Sequence, residues 1–358
     1  MSESPTLKTR LMVLGISSLV TAVLAEGLIR LVDGNSLPMI KLFEADDQGH
    51  ITLQKNGTSR ISSPRGEPWE INTDEHGRRT TPTPPSDNAW IVVGDSQVMG
   101  NGVADAEAFP GLLTLDNEPA HNLGVPGYGV ADALWAATQH LDRFQAKGVI
   151  VIVNQMNDWE ETHAPVGVRY QVRGGWLIDE QDADGPRGTF LASPLAHTHL
   201  GFLLGHLILR DWDGPTEPIP NWMAKPQYQR EKTLIIAQTI AEFAAAHPQT
   251  RVVPVYLPAD VYASEARAEL SPLTPHLGEL NVPPWEDTRL RDQVMTAMAD
   301  FDPIDLTPVL RKKEAFLELD YHLSAFGHAS VADAIKREIA QNDPPPEAST
   351  GTAEIPNQ

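Results

Sequence analysis

Short apolar runs alternate with longer helical patterns along most of the chain. The predicted strands are Trp90–Val93, a short segment at His121–Gly124, Val149–Val153, Arg251–Leu257 and a weak Pro303–Leu306. The predicted helices are Val130–Phe144, Glu231–Ala246, Trp285–Phe301 and Phe326–Ile339. Strands that are apolar throughout are typical of parallel sheets buried on both faces. Their alternation with amphipathic helices predicts an α/β fold, a three-layer α/β/α sandwich with about five parallel strands.

The N-terminus carries an uncharged apolar run, Leu11–Ala25, preceded by Lys8 and Arg10. Basic residues before such a run predict that the N-terminus stays in the cytoplasm and that the rest of the chain is exported. Fifteen residues suit the core of a signal peptide, with cleavage after Ala25. In that case the protein would be secreted.

The alternative is an uncleaved anchor over residues 1–34. The helix would then continue past Glu26 to Val32, with Arg30 reaching outward to water. We favour this anchor, which places the protein in the cell membrane as a single-pass protein with its folded domain extracytoplasmic, either periplasmic or extracellular.

Three regions depart from the strand–helix alternation. Residues 35–88 are rich in proline, glycine and polar side chains, and we expect a stalk with short accessory strands. Residues 159–228, within the main domain 89–341, are too long for a simple connection and are expected to form a cap-like insertion. The tail, 342–358, is proline-rich and polar and is expected to be disordered.

Composition excludes several classes of function. The chain has 27 lysines and arginines against 48 aspartates and glutamates, a formal net charge of −21. Such an excess of negative charge disfavours nucleic-acid binding and a polybasic membrane-surface role. The absence of cysteine excludes disulfides, thiolate metal sites and a cysteine nucleophile.

A candidate nucleophile follows the first predicted strand, in Gly94-Asp95-Ser96. Ligand sites of open α/β sheets lie outside the carboxyl ends of the strands, and a serine at a strand-to-helix turn exposes its hydroxyl there. Taken alone, the tripeptide is also ordinary turn chemistry.

Three further sequence blocks follow the serine block, each at a defined position relative to the predicted strands or the C-terminus. They are Asn122–Gly129 after the second strand, Asn157-Asp158 after the third, and Asp320-Tyr321-His322 near the C-terminus. Together with the serine block they resemble the SGNH (GDSL-like) serine hydrolase superfamily over roughly residues 70–340. The resemblance is to the membrane-anchored bacterial type and implies a flavodoxin-like α/β/α fold.

The resemblance also implies roles for particular residues. Ser96 would be the nucleophile, His322 the base that takes its proton, and Asp320 the carboxylate that orients the imidazole. The backbone N–H groups of Ser96 and Gly124, with the side-chain amide of Asn157, would form the oxyanion hole. No organic cofactor and no metal is implied.

Two departures from the family's pattern concern the subfamily and the oxyanion pocket. The family often places its aspartate three residues before the histidine, where Leu319 stands here. The observed Asp-X-His spacing resembles a branch that includes polysaccharide O-acetylation enzymes. Gln155 stands where the third block often has glycine.

Other polar residues have simpler interpretations. We expect Asp95 and Asp158 to bond turn or helix-cap amides and His328 to be structural. His197, His199 and His206 lack a metal-ligand spacing, so no metal site is predicted.

The function expected from these residues is hydrolysis of an acyl ester, on a small molecule, lipid or glycan, through an acyl-enzyme on Ser96. One alternative is an O-acyltransferase acting on an extracytoplasmic polysaccharide. A second alternative is a non-catalytic envelope protein that binds a ligand or partner with the same fold. The complete set of predicted site residues disfavours the second alternative.

Overall fold

A computed structural model describes residues 6–32, 34–62, 68–115, 117–162, 164–208, 226–271, 273–274, 282–318 and 320–342. Residues 343–358 of the predicted tail lie outside this part of the chain. So do residues 209–225 of the predicted insertion and residue 319.

The core of the fold is a five-stranded sheet in which every neighbouring pair is parallel. The strands of the described chain are β1 (Phe43–Ala45), β2 (Ile51–Leu53), β3 (Thr58–Ile61), β4 (Trp69–Asn72), β5 (Ile91–Gly94), β6 (Thr114–Leu115), β7 (Glu118–Pro119), β8 (His121–Gly124), β9 (Gly148–Asn154), β10 (Tyr170–Arg173), β11 (Trp176–Asp179), β12 (Arg251–Leu257) and β13 (Ile304–Asp305). The order across the central sheet is β13-β12-β9-β5-β8. This is the flavodoxin-like order, so the predicted fold class is confirmed.

Helices cover both faces of this sheet. Within the described residues the α-helices are α1 (Leu7–Val32), α2 (Ser96–Met99), α3 (Phe109–Leu112), α4 (Val130–Phe144), α5 (Asp158–Glu161), α6 (Val166–Arg169), α7 (Glu180–Ala183), α8 (Pro186–Leu191), α9 (His199–Ile208), α10 (Pro226–Ala246), α11 (Asp260–Ala263), α12 (Glu265–Ala268), α13 (Arg289–Ala297) and α14 (Ala325–Asn342). Along β9, Val149, Val151 and Val153 pack with α4, α10 and α13, while Ile150 and Ile152 pack with α3 and α14. The alternation follows from the two-residue period of a strand.

Helix α1 stands apart from both layers. It is 26 residues long, with a mean hydropathy of 2.0 over its most apolar window, and none of that window is buried. By length and composition it is able to cross a membrane, and a signal sequence has the same properties.

The short strands before the main domain pack against it. Strands β1 and β2 form one antiparallel pair, and β3 and β4 form another. Their side chains Ile51, Leu53, Ile61 and Ile71 are buried in the same core cluster as α4. This accessory layer therefore shares a hydrophobic core with the sheet.

Arg79 ties the accessory layer to helix α2. Its guanidinium is fully buried, pairs with Asp105 at 2.8 Å, and donates to the carbonyls of Met99, Gly100 and Val103 at 2.6–2.7 Å. Because the last carbonyls of a helix have no partner within it, this arginine satisfies the C-terminal end of α2. Gly100 follows α2 with a φ of +89°, and a Cβ there would lie 2.7 Å from the Arg79 guanidinium.

We expect Arg79→Lys to lower the free energy of unfolding by at least about 2 kcal/mol, because an ammonium cannot reach the same set of acceptors. Thermal unfolding of the full chain in detergent measures this. The matched control is Arg337→Lys on α14, an exposed arginine whose replacement should change stability by less than about 0.5 kcal/mol. Equal stabilities of the two variants would contradict the role given to Arg79.

Candidate active site

Ser96 lies where β5 turns into α2, at the carboxyl edge of the sheet. The side chain of Asp95 holds this turn: one oxygen accepts from the N–H of Gln97 at 2.9 Å, and the other accepts from the amide of Asn154 at 2.8 Å. Asn154 ends β9, the strand beside β5, so Asp95 links the two central strands at the edge where ligands of such sheets bind. The turn-bonding interpretation of Asp95 agrees with these contacts.

The structure brings Ser96, His322 and Asp320 into one hydrogen-bonded line. His322 Nε2 lies 2.8 Å from the hydroxyl of Ser96, although 226 positions separate the two residues. His322 Nδ1 lies 2.6 Å from a carboxylate oxygen of Asp320, which also accepts from the backbone N–H of His322 at 3.2 Å. With Nδ1 protonated, Nε2 is free to take the serine proton.

The surroundings of Asp320 favour its ionised form. Burial raises the pKa of this carboxyl, but hydrogen bonds from the His322 side chain and backbone outweigh that effect and hold the pKa below its usual value. The ring of Tyr321 stacks on the His322 imidazole with a centroid separation of 4.6 Å. The imidazole therefore contacts the Asp320 carboxylate at one edge and the ring of Tyr321 on one face.

Asn101, just after α2, contacts the same ring. Its amide nitrogen lies 3.4 Å from Nδ1 and 3.3 Å from Nε2 of His322. A group equidistant from both nitrogens cannot approach either one along its in-plane direction, so the amide lies over the face of the ring. It leaves the in-plane bonds to Ser96 and Asp320 undisturbed.

Gln97 clamps the segment that carries His322. Its amide donates to the carbonyl of Tyr321 at 3.1 Å, and its oxygen accepts from the N–H of Leu323 at 3.0 Å. The side chain is only 2% exposed. Gln97, the residue next to Ser96, therefore fixes the position of the His322 imidazole relative to the Ser96 hydroxyl. No sequence pattern marked Gln97 for this role.

A buried ion pair holds the same segment from another side. Arg267 pairs with Asp260 at 3.0 Å, with both side chains fully buried, and donates to the carbonyl of Asp320 at 2.8 Å. Both flanks of the Asp-X-His segment are thus attached to elements that pack on the central sheet.

The three predicted oxyanion donors differ in their present partners. In the described part of the chain the backbone N–H of Ser96 has no hydrogen-bond partner. The N–H of Gly124 donates to the side chain of Asn122 at 3.0 Å, and the amide of Asn157 donates to Glu161 at 2.8 Å. The oxyanion assignment of Gly124 and Asn157 stays a prediction.

Gly124 has a second, steric reason to be glycine. A Cβ at this position would lie 2.1 Å from the backbone nitrogen of Met99 and 2.7 Å from the carbonyl carbon of Val98. The end of β8 therefore packs directly against the backbone of α2, and a side chain here would displace the helix that begins at Ser96.

A buried carboxyl, Glu161, borders the site. It accepts from Asn157 and pairs with Arg169 at 3.2 Å, with 8% of its side chain exposed. Burial raises its pKa, the charge of Arg169 opposes this, and nearby Asp95 adds to the rise, so that the pKa reaches about 8. Asp158, fully buried, accepts from the N–H of Asn154 at 2.6 Å, and burial raises its pKa as well.

The remaining histidine near the site has a packing role. His328 is fully buried and accepts from the N–H of Phe109 at 3.2 Å, and burial lowers its pKa to about 3. It is therefore neutral at physiological pH. Among the described residues no group of three or more histidine, aspartate or glutamate side chains is arranged to hold a metal ion.

No protein-family model and no curated protein matches the chain. Solved structures similar to it include a lipase/acylhydrolase from Enterococcus faecalis, with 14% identity, a TM-score of 0.38, and coverage of 73% of this chain and 100% of that one. Others are a GDSL-like lipase from Bacteroides thetaiotaomicron (9%, 0.36, 71% and 89%) and a catalytic mutant of an acetylxylan esterase from Geobacillus stearothermophilus (14%, 0.36, 71% and 95%). Similarity this distant carries no argument about activity, which has to be argued from this chain's own residues.

We expect Glu161→Gln to stabilise the protein in a pH-dependent way. The pKa of Glu161 is about 8 when folded and near its ordinary value when unfolded, so ionisation in the unfolded chain disfavours folding increasingly as pH rises from about 4.5 to 8. The variant should match wild type near pH 4 and exceed it by roughly 4 kcal/mol at pH 8.

Thermal unfolding between pH 4 and pH 9 measures this difference. Glu160→Gln, the neighbouring partly exposed glutamate, is the matched control and should follow the wild-type profile. Parallel profiles for wild type and Glu161→Gln would show that Glu161 is not a buried, neutral acid.

Proposed function

We propose that this chain is a membrane-tethered, extracytoplasmic serine esterase of the SGNH type. The observation that carries the proposal is the line from Asp320 through His322 to Ser96, with separations of 2.6 and 2.8 Å. A serine hydroxyl is a weak nucleophile until a base in contact with it removes its proton, and this arrangement supplies such a base.

The reaction proceeds in two halves. As the Ser96 oxygen bonds to the ester carbonyl carbon, its proton passes to His322 Nε2, and the imidazolium is stabilised by Asp320. The same proton then goes to the departing alcohol oxygen, which leaves an acyl group on Ser96. A water molecule, deprotonated by His322, attacks this acyl-enzyme. The bond from Ser96 to the acyl carbon then breaks, and His322 returns the proton to the Ser96 oxygen, which releases the acid and regenerates the serine and the neutral imidazole.

The negative charge on the tetrahedral intermediate requires donors beside Ser96. Its own backbone N–H is available, and we propose Gly124 and Asn157 as the other two. The present acceptor of the Gly124 N–H, the Asn122 side chain, would have to share or release that donor when an oxyanion forms. The Asn157 amide has a second N–H, which would serve the oxyanion without breaking the bond to Glu161.

The substrate class we propose is an acyl ester on a lipid, a glycan or a small molecule outside the cytoplasm. The apolar stretch of α1, which follows Lys8 and Arg10 in the same helix, supports export and tethering. A transferase and a hydrolase share the same acyl-enzyme and differ in whether a sugar hydroxyl or water accepts the acyl group. Supplying a glycan acceptor with an acetyl ester, and measuring acetylated sugar against free acetate, distinguishes the two.

Removal of the nucleophile should abolish both activity and covalent labelling. We expect the wild type to hydrolyse p-nitrophenyl acetate and to react with a fluorophosphonate probe. Ser96→Ala should lose the labelling, and both Ser96→Ala and Asp320→Asn should lose at least about 10³-fold in kcat.

The control for this experiment is Ser330→Ala, which removes a hydroxyl bonded to its own helix on α14. It should keep both labelling and turnover. A wild type that is folded but neither labels nor turns over any ester of a substrate panel would favour the non-catalytic binding function.

Loss of the Gln97 clamp should slow turnover without weakening substrate binding. Gln97→Met removes both hydrogen bonds to the His322 segment, and we expect kcat to fall by about 10- to 100-fold with KM little changed. Gln97→Glu keeps an acceptor for the N–H of Leu323, so its kcat should lie between those of the wild type and Gln97→Met. Gln238→Met, at an exposed glutamine on α10, is the matched control. Unchanged kcat in Gln97→Met would remove the positioning role.

A further inference from the structure

Helix α9 exposes an apolar surface beside the N-terminal helix. Leu203 and Leu204 are 50% and 47% exposed, and Leu195 in the preceding turn is 62% exposed. On the inner side of the same helix, Phe202 is buried against Trp176, with ring centroids 5.4 Å apart. One side of α9 is therefore packed into the domain, while the other presents leucines outward.

A carboxylate from α1 holds the start of α9. Glu26 accepts from the backbone N–H of Leu200 at 2.8 Å and of His199 at 3.1 Å, and from the guanidinium of Arg30 at 2.6 Å. These backbone N–H groups are among those that a helix leaves without a partner at its N-terminus. A side chain from α1 thus caps α9. The imidazole of His199 adds a contact to the carbonyl of Ser36 at 2.7 Å.

This capping contact fixes the position of the N-terminus of α9 along the axis of α1. From Leu11 to Glu26 an α-helix rises about 22 Å, and the hydrocarbon layer of a bilayer is about 30 Å thick. With Arg10 at the cytoplasmic boundary, Arg30 lies about 30 Å along the helix, at the opposite boundary of the hydrocarbon, and Glu26 lies about 6 Å inside that boundary, a depth that an interfacial helix reaches. The N-terminus of α9, bonded to Glu26, lies at the same level.

We propose that α9 is a second membrane contact, lying in the outer interface with Leu203, Leu204 and Leu195 directed into lipid. An interfacial helix of this kind buries its apolar side at the boundary between headgroups and acyl chains. The occupant of this surface is the bilayer that α1 crosses, because the Glu26 contact makes the two surfaces continuous. Two contacts restrict rotation of the domain about α1 and hold the side of the domain that carries α9 against the membrane.

The absence of native cysteine makes a direct test possible. Single cysteines replacing Leu204 and, separately, Leu19 in α1 are labelled with an environment-sensitive fluorophore in the full chain, reconstituted in phosphatidylethanolamine–phosphatidylglycerol vesicles. We expect blue-shifted emission at both positions and quenching by lipids with a spin label near the headgroup at position 204. The control is Ala329→Cys, at an exposed position of α14, and its probe should report an aqueous environment.

The inference rests on the proposed tether and not on the esterase activity, and the probes separate the two. Lipid contact at position 19 with a water-like, unquenched signal at position 204 overturns the inference and leaves the tether standing. Water-like signals at both positions overturn both. A signal at position 204 that is shielded from water but not quenched by lipid would indicate a protein partner, and it would also overturn the inference.

A second variant tests the contact that sets the level of α9. Glu26→Ala removes the cap, and we expect the quenching at position 204 to fall while the signal at position 19 is kept. Glu26→Gln retains acceptor oxygen for one N–H and should keep more of the quenching. Quenching at position 204 that is identical in all three proteins would show that Glu26 does not position α9.

Discussion

The hydrogen bond between Ser96 and His322 joins two segments that are far apart in the sequence, and the proposed chemistry depends on its length. A shift of the imidazole by about 1 Å would leave the hydroxyl without a base. Three polar side chains oppose such a shift. Arg79 satisfies the end of the helix that begins at Ser96, Gln97 binds the backbone on both sides of His322, and Arg267 binds the carbonyl of Asp320. Because these contacts are buried or partly buried, breaking one of them leaves a polar group that water satisfies poorly, which makes the arrangement stiff.

The carboxyl groups around this bond have pKa values that are shifted in opposite directions. Asp320 is held in its charged form by His322, whereas Glu161 and Asp158 have pKa values raised by burial. An imidazolium that forms during catalysis is stabilised by the negative charge of Asp320. A neutral Glu161 also leaves the Asn157 amide less strongly held than an ionised one would.

The fold could be predicted from the sequence because its signals are local. The strand predicted at Val149–Val153 is observed as Gly148–Asn154, and the helix predicted at Val130–Phe144 has the same bounds in the structure. The weak strand predicted at Pro303–Leu306 is observed as Ile304–Asp305. The helix predicted at Trp285–Phe301 is shorter, Arg289–Ala297, and 3₁₀ turns at Pro284–Glu286 and Ala299–Phe301 flank it.

The supporting contacts of the site could not be predicted in this way. Gln97 and Asn101 act through neighbours distant in the sequence. Nothing in the local sequence of Gln97, Asn101 or Glu161 distinguishes them from surface residues. The capping of α9 by Glu26 likewise depends on two elements that meet only in three dimensions.

The most direct test of the central claim is to trap the covalent intermediate. Rapid acid quenching during turnover of a slowly deacylating ester, followed by digestion and tandem mass spectrometry, locates the acyl group on the chain. The account predicts that the acyl mass lies on Ser96 and that replacing His322 with alanine prevents its appearance. An acyl group on another residue, or sustained hydrolysis with no acylated peptide under conditions where deacylation is slow, would contradict it.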